Sequence, residues 1–168
     1  SPAYYNAGDF KYTNTAHMVN GWGGEKEAFH TFLNYNEGIY VGYRFYETRF
    51  VNNETGKCDE EAYNKTVQYP FGYGLSYTSF KQEILNYKTE NGKITVDVKV
   101  TNTGDKAGKE VVQVYYTAPY YEGGIEKSHV VLGAFDKTEM LEAGASETLT
   151  LEFDVEDMAS YDYKNEKA

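Results

Sequence analysis

Residues 93–102 read KITVDVKVTN, in which Ile94, Val96, Val98 and Val100 alternate with Thr95, Asp97, Lys99 and Thr101. A helix would scatter these four aliphatic side chains around its circumference, whereas a strand sets all four on one face. The stretch ETLTLEFDV repeats the pattern and is expected to place Leu149, Leu151, Phe153 and Val155 on one side. Two strands that are apolar on one face only need an apolar layer to cover them, so the second half of the chain must build a layered β-structure.

Other segments supply that layer. FKQEILNYK predicts a first strand, with Gly92 ending the loop that follows it. After KITVDVKVTN, the Asn, Gly and Asp of TNTGDKAGKE provide turn chemistry before VVQVYYT resumes the apolar run, and a hairpin is the economical reading. SHVVLGAF is a further strand, and LEAGAS is a turn leading into ETLTLEFDV. Short strands at this spacing without a convincing amphipathic helix predict an all-β fold, an antiparallel sandwich of the immunoglobulin and fibronectin kind over residues 80–168.

Residues 1–79 are built from different material. Ile, Leu and Val number seven in residues 1–80 against seventeen in 81–168, while Phe, Trp and Tyr number nineteen against nine. Each buried tyrosine hydroxyl needs a partner, so this part closes no dry core easily and is expected to lie over something else as an irregular, aromatic-rich extension. Within it, β-branched and aromatic residues predict a strand from Ile39 to Tyr46, with Gly42 marking a bulge or a close backbone approach. GEKEAFHTFL predicts a short helix from Glu25 to Leu33.

Charge narrows the partners. Sixteen basic against 26 acidic residues give a formal charge of −10, which disfavours nucleic acid and anionic membrane. No run approaches the roughly 20 apolar residues of a membrane span. The opening SPAYYNAGDF lacks the basic and then apolar layout of a signal peptide and reads as the interior of a longer protein. Cys58 has no second cysteine to pair with, which leaves the compartment open, with the cytoplasm favoured over secretion. Asn53-Glu-Thr55 and Asn64-Lys-Thr66 match the glycosylation sequon, a pattern that also arises by chance.

Catalytic and metal chemistry find little support. Glycoside hydrolysis needs two carboxylates flanking the bond, one protonated and one ionised. Glu25, Glu27, Glu37, Asp59, Glu60 and Glu61 read instead as solvated surface charges. His17, His30 and His129 stand far apart, so no metal site is expected, and GWGG at 21–24 lacks the Lys and Ser or Thr of a nucleotide loop. No catalytic residue, metal or other cofactor is assigned. The aromatics remain. Tyr120 and Tyr121 in APYYEGG, and Trp22 on its glycine loop, are candidate platforms for the apolar face of a sugar ring.

Two stretches carry a family resemblance. NYNEGIYVGYRFYETRF at 34–50, followed by VQYPFGYGLSYTSF at 67–80, resembles the passage of family three glycoside hydrolases, mostly β-glucosidases, that leads from the α/β sandwich domain into a fibronectin type III-like domain. VKVTNTGDKAGKEVVQVYY and LGAFDKTEMLEAGASETLTLEFDVEDMASYD are similar to that terminal domain in order and spacing, and GGIEKSHVVLGAFDKT is closest to a bacterial, clostridial-like branch. The resemblance implies a retaining parent enzyme that releases terminal β-linked sugars through a covalent intermediate, with an Asp nucleophile on a barrel domain and an acid/base Glu usually on the sandwich domain. Neither motif occurs here. It further implies a non-catalytic accessory role, with the α/β sandwich and barrel domains as partners and β-glucosides or oligosaccharides as ligands of the whole. The family's domain normally runs past ASYD into another strand, so the sandwich is expected to lack its last strand and to offer an edge for self-association. The alternative is a stand-alone carbohydrate-binding module using Trp22, Tyr120 and Tyr121.

QYPFGYGLSY at 68–77 has the chemistry of a joint. Pro70 removes a backbone donor and fixes φ, while Gly72 and Gly74 permit angles that other residues resist, so no regular central strand forms. Tyr69, Phe71, Tyr73 and Tyr77 are therefore expected to be packing surface at a seam between domains.

Overall fold

A computed structural model describes residues 38–52, 55–162, 164 and 165. Two short helices, α1 (Tyr43–Arg49) and α2 (Glu60–Thr66), precede five strands: β1 (Phe80–Glu90), β2 (Lys93–Asn102), β3 (Val111–Tyr116), β4 (Val131–Lys137) and β5 (Ser146–Asp154). A 3-10 turn follows at Val155–Met158. The strands form two antiparallel sheets, one ordered β1-β2-β5 and the other β3-β4. The all-β sandwich read from the sequence is the observed fold.

The alternation in β2 and β5 is carried into the core. Ile94, Val96, Val98 and Val100 stand opposite Phe153, Leu151, Leu149 and Glu147, and the apolar members of both rows are buried with Val112 and Leu141. Phe80, Val114, Tyr116 and Ala134 close around them. Gly133 on β4 faces the Phe153 ring so closely that a Cβ there would lie 2.9–3.1 Å from three ring atoms. That ring stacks in turn on Tyr116, with centroids 6.0 Å apart.

Three expectations are corrected. The turn after β2 closes no hairpin: β2 pairs with β1 and β5, and the chain crosses to the other sheet to begin β3. The hairpin lies one step earlier. β1 and β2 are joined by Asn91 and Gly92, both in the left-handed region at φ 52° and 76°, as a two-residue turn matched to strand twist requires. Second, the segment predicted as a strand from Ile39 to Tyr46 becomes a helix from Tyr43 onwards, and Gly42, at φ 61°, precedes its first turn and forms no bulge. Third, Val155 leaves the row begun by Leu149, because the strand ends at Asp154 and the 3-10 turn carries it outward. The helix predicted from Glu25 to Leu33 lies outside the described residues.

Candidate functional site

Helix α1 lies on the β3-β4 sheet. The backbone N–H of Leu132 donates to the Tyr43 hydroxyl at 2.8 Å, and that of His129 donates to Thr48 Oγ1 at 2.9 Å. The Tyr43 ring meets Tyr115 edge-on at 5.9 Å and stacks on Phe71 at 4.7 Å. Helix α2 is coupled to α1 by the Tyr63 hydroxyl, which donates to Glu47 at 2.6 Å. Partial burial and this carboxylate both push the Tyr63 phenol well above its ordinary value, so it stays a protonated donor.

The seam residues form a turn. Tyr73 N–H donates to Pro70 C=O at 3.0 Å, and Gly72 sits at φ 82°, which makes residues 70–73 a type II turn with glycine where the geometry demands it. A side chain at Gly72 would also meet Gln113 Oε1 at 2.8 Å. The turn is thus pressed against β3. Tyr69 and Tyr73 flank it with ring centroids 4.9 Å apart, and Phe71 projects over a cleft of about 370 Å³ shared with Val111, Gln113, Leu132 and Phe135.

Immediately after the turn the chain is fastened to the sandwich. Thr78 Oγ1 donates to the side-chain oxygen of Asn102, which is fully buried. Asn102 Nδ2 donates to the carbonyls of Lys106 and Leu141 at 2.7 and 2.9 Å, and its Oδ1 also accepts from Gly104 N–H. Ser79 C=O accepts the N–H groups of Thr103 and Gly104. Gly104 has no side chain because Thr78 Oγ1 and the Ser79 nitrogen occupy that space. The C-terminal end of this segment is therefore fixed to the sandwich.

Its other side faces outward. Tyr69, Phe71 and Tyr73 are more than half exposed, Leu75 is 91% exposed and Tyr77 is 97% exposed. Phe135 on β4 adds a further exposed ring to the face that Phe71 overhangs. Large apolar side chains are thus exposed along a segment whose end is fastened to the sandwich.

The sugar-platform candidates are only partly gathered. Tyr120 and Tyr121 are exposed on the connection between β3 and β4. Tyr40 lies near Glu126 and Tyr120; burial first, and then the Glu126 carboxylate, raise its phenol. Trp22 lies outside the described residues. No three His, Cys, Asp or Glu side chains among the described residues come together as a metal centre needs, and no helix there is long and apolar enough to cross a membrane. Sequence reasoning passed over Tyr43, Asn102, Gln113 and Phe135. Only the TNTG step at 101–104 signalled the hub, and it read as turn chemistry.

The two antiparallel sheets and the arch from β2 to β3 are those of a fibronectin type III-like domain, and residues 110–168 match the family of that description. The wider likeness runs through most of the chain. It is 42% identical to β-glucosidase A of Butyrivibrio fibrisolvens over 81% of its own length and 17% of the relative's, and 43% identical to a β-glucosidase of Ruminococcus albus over 76% and 12%. Among solved structures it resembles β-glucosidase 3B of Thermotoga neapolitana in complex with glucose, with TM-score 0.60 and 42% identity over 76% of this chain and 16% of that one. It also resembles the family three β-glucosidase of Bifidobacterium adolescentis, with TM-score 0.63 and 35% identity over 90% and 19%. The chain belongs to the fibronectin type III-like region of the family three glycoside hydrolases. It spans less than a fifth of the length of each of these relatives.

Proposed function

We propose that this region is the non-catalytic scaffold of a β-glucosidase-like retaining hydrolase acting on terminal β-linked sugars. It holds the other domains in place through the aromatic face of residues 69–77. The observation that carries this reading is the contrast along one short segment: Leu75 and Tyr77 are almost wholly exposed, yet Thr78 and Ser79, directly after them, are fixed to the buried Asn102 and its loop. A joint of this form presents apolar surface at a set angle, as an interface between domains of one chain requires. The α/β sandwich and barrel domains are the partners, and they supply the nucleophile and the acid/base. In the longer enzyme, Leu75→Lys with Tyr77→Lys is expected to speed proteolytic cleavage between Val67 and Ser79 at least threefold and to lower the melting temperature. Unchanged cleavage and melting would sink the scaffold reading. The 168-residue chain alone is expected to release no nitrophenol from an aryl β-glucoside.

A second reading, a stand-alone carbohydrate-binding module, draws on the exposure of Tyr120 and Tyr121. Cellobiose titrated against tryptophan and tyrosine fluorescence separates the two, since a scaffold gives no saturable change.

A further inference from the structure

The tip of the β1-β2 hairpin carries two groups that the scaffold role does not use. Asn91 and Gly92 are both exposed, at φ 52° and 76°. A two-residue turn of this kind favours Asn followed by Gly because both positions need positive φ. The same dipeptide sets a carboxamide beside a main-chain nitrogen that no side chain shields. Among the described residues, neither the Asn91 side chain nor the Gly92 N–H has a hydrogen-bond partner, while Gly92 C=O accepts from Val155 N–H at 2.8 Å. No atom beyond the adjacent residues lies within 4 Å of the place a Cβ would take at Gly92. Other exposed asparagines differ. Asn64 precedes Lys65, and Asn86 precedes Tyr87 and spends its carboxamide on Asp97 at 3.2 Å.

We propose that Asn91 is a site of spontaneous covalent modification, deamidation through the Gly92 nitrogen with water as the co-reactant. The Gly92 nitrogen gives its proton to solvent base and attacks Cγ of Asn91. A C–N bond closes a succinimide ring as the Cγ–Nδ2 bond breaks, and Nδ2 takes a proton from water and leaves as ammonia. Water then opens the ring at one of its two carbonyls, with no change of oxidation state. Opening at Cγ leaves aspartate at position 91 on an unaltered main chain. Opening at the main-chain carbonyl leaves isoaspartate, whose main chain runs through Cβ. Ring closure rotates the main chain out of the turn, so it draws on local openings of the tip, which is held by the Glu90–Lys93 pair and the Val155 bond.

The two products differ in consequence. Aspartate tolerates the left-handed region and fits a two-residue turn before glycine. Isoaspartate adds a main-chain atom to a turn with no slack, which displaces Glu90 from Lys93 and Thr89 from Ile94. Either product places a new negative charge beside Glu90, where Lys93 is already engaged by Asp154 at 3.3 Å. The hairpin tip thus changes irreversibly with the age of the molecule, whatever the fate of the joint at 69–77.

The test ages the 168-residue chain in mildly alkaline buffer. The tryptic peptide Thr89–Lys93 is followed by mass spectrometry and by a protease that cuts before aspartate and not before isoaspartate. Asn20-Gly21, the other Asn-Gly pair in the sequence, falls in a separate peptide. Conversion at Asn91 is expected to run about tenfold or more faster than at Asn64 or Asn86, with isoaspartate the larger product. Chains carrying isoaspartate should melt at a lower temperature than the fresh protein, whereas Asn91→Asp, which reproduces the direct product, should melt close to it. Asn91→Gln lengthens the ring and should leave the peptide unconverted over the same period. Survival of Asn91 as long as Asn64, aspartate formed without isoaspartate, or equal conversion in Asn91→Gln would each overturn the proposal.

Discussion

Thr78 donates its hydroxyl proton to Asn102 at 2.7 Å, joining the segment that leads into the sandwich to a side chain with no exposed surface. The same amide serves Lys106, Leu141 and Gly104, so three pieces of chain, the entry at Thr78, the loop after β2 and the segment at Leu141, depend on one residue. Asn102→Ala removes the acceptor of the Thr78 hydroxyl and the donor to Lys106 C=O, and leaves Leu141 C=O and Gly104 N–H with only Gly108 N–H and Ser79 C=O as partners. It is expected to destabilise the domain by about 2–4 kcal/mol in urea unfolding. Thr78→Val removes a single bond and should cost about 1 kcal/mol. Equal effects from the two would contradict the hub.

Phe71 stacks on Tyr43 at 4.7 Å, and Tyr43 in turn accepts from Leu132. Phe71→Ala should reduce global stability by only about 0.5–1.5 kcal/mol, since the ring is half exposed and the stack is the main loss. Its larger effect should be local. Limited proteolysis is expected to cut between Val67 and Ser79 sooner, and an unaltered digestion pattern would count against the joint.

Gly133 gives the Phe153 ring its place. Gly133→Val forces that ring off Tyr116 and into its neighbours, an overpacking expected to lower stability by about 1–3 kcal/mol. The reverse result, a stabilised protein, would contradict close packing of the ring against Gly133.

Asp97 lies across the β1-β2-β5 sheet, accepting from Thr150 on one side at 2.7 Å and from Asn86 on the other at 3.2 Å. The Thr150 bond first, and the Asn86 bond next, hold its carboxyl below the usual range. A depressed folded value means stability that is complete above the ordinary carboxylate value of about 4 and is lost as pH falls through the folded one. Asp97→Asn is therefore expected to flatten the acid limb of a melting-temperature profile below about pH 4 by lowering stability at neutral pH, where the ionised carboxyl contributes, while leaving strongly acid pH nearly unchanged.

The rows in β2 and β5 were legible because period two is a local consequence of strand geometry, and both faced one core. Pairing was not legible. The Asn, Gly and Asp at 102–105 suit a hairpin and an arch between sheets equally, and only tertiary contacts choose between them. Helix α1 was misread because Tyr, Phe and Thr, which favour strands, fill four of the seven positions of YRFYETR and outweigh its Arg and Glu. What decides its form is docking: the helix lets Thr48 reach the connection into β4 and Tyr43 reach Leu132 in the strand itself. The turn at 70–73 could be seen from its Pro and Gly, whereas the anchor of the segment at Asn102 depends on pieces of chain converging from Thr78, Lys106 and Leu141.

The tight turn at Asn91 and Gly92 also orders events in time. It brings Phe80–Glu90 against Lys93–Asn102 with almost no loop to close, whereas pairing β2 with β5 joins residues such as Thr95 and Glu152, 57 positions apart. Loop-closure entropy favours the first and delays the second, so β1 and β2 form the early nucleus and recruitment of β5 limits the rate. Gly92→Val, strained at φ 76°, should therefore slow refolding more than it hastens unfolding in stopped-flow measurements. A chain emerging from the ribosome would hold this hairpin ready, with one apolar face uncovered, until the remaining strands arrive.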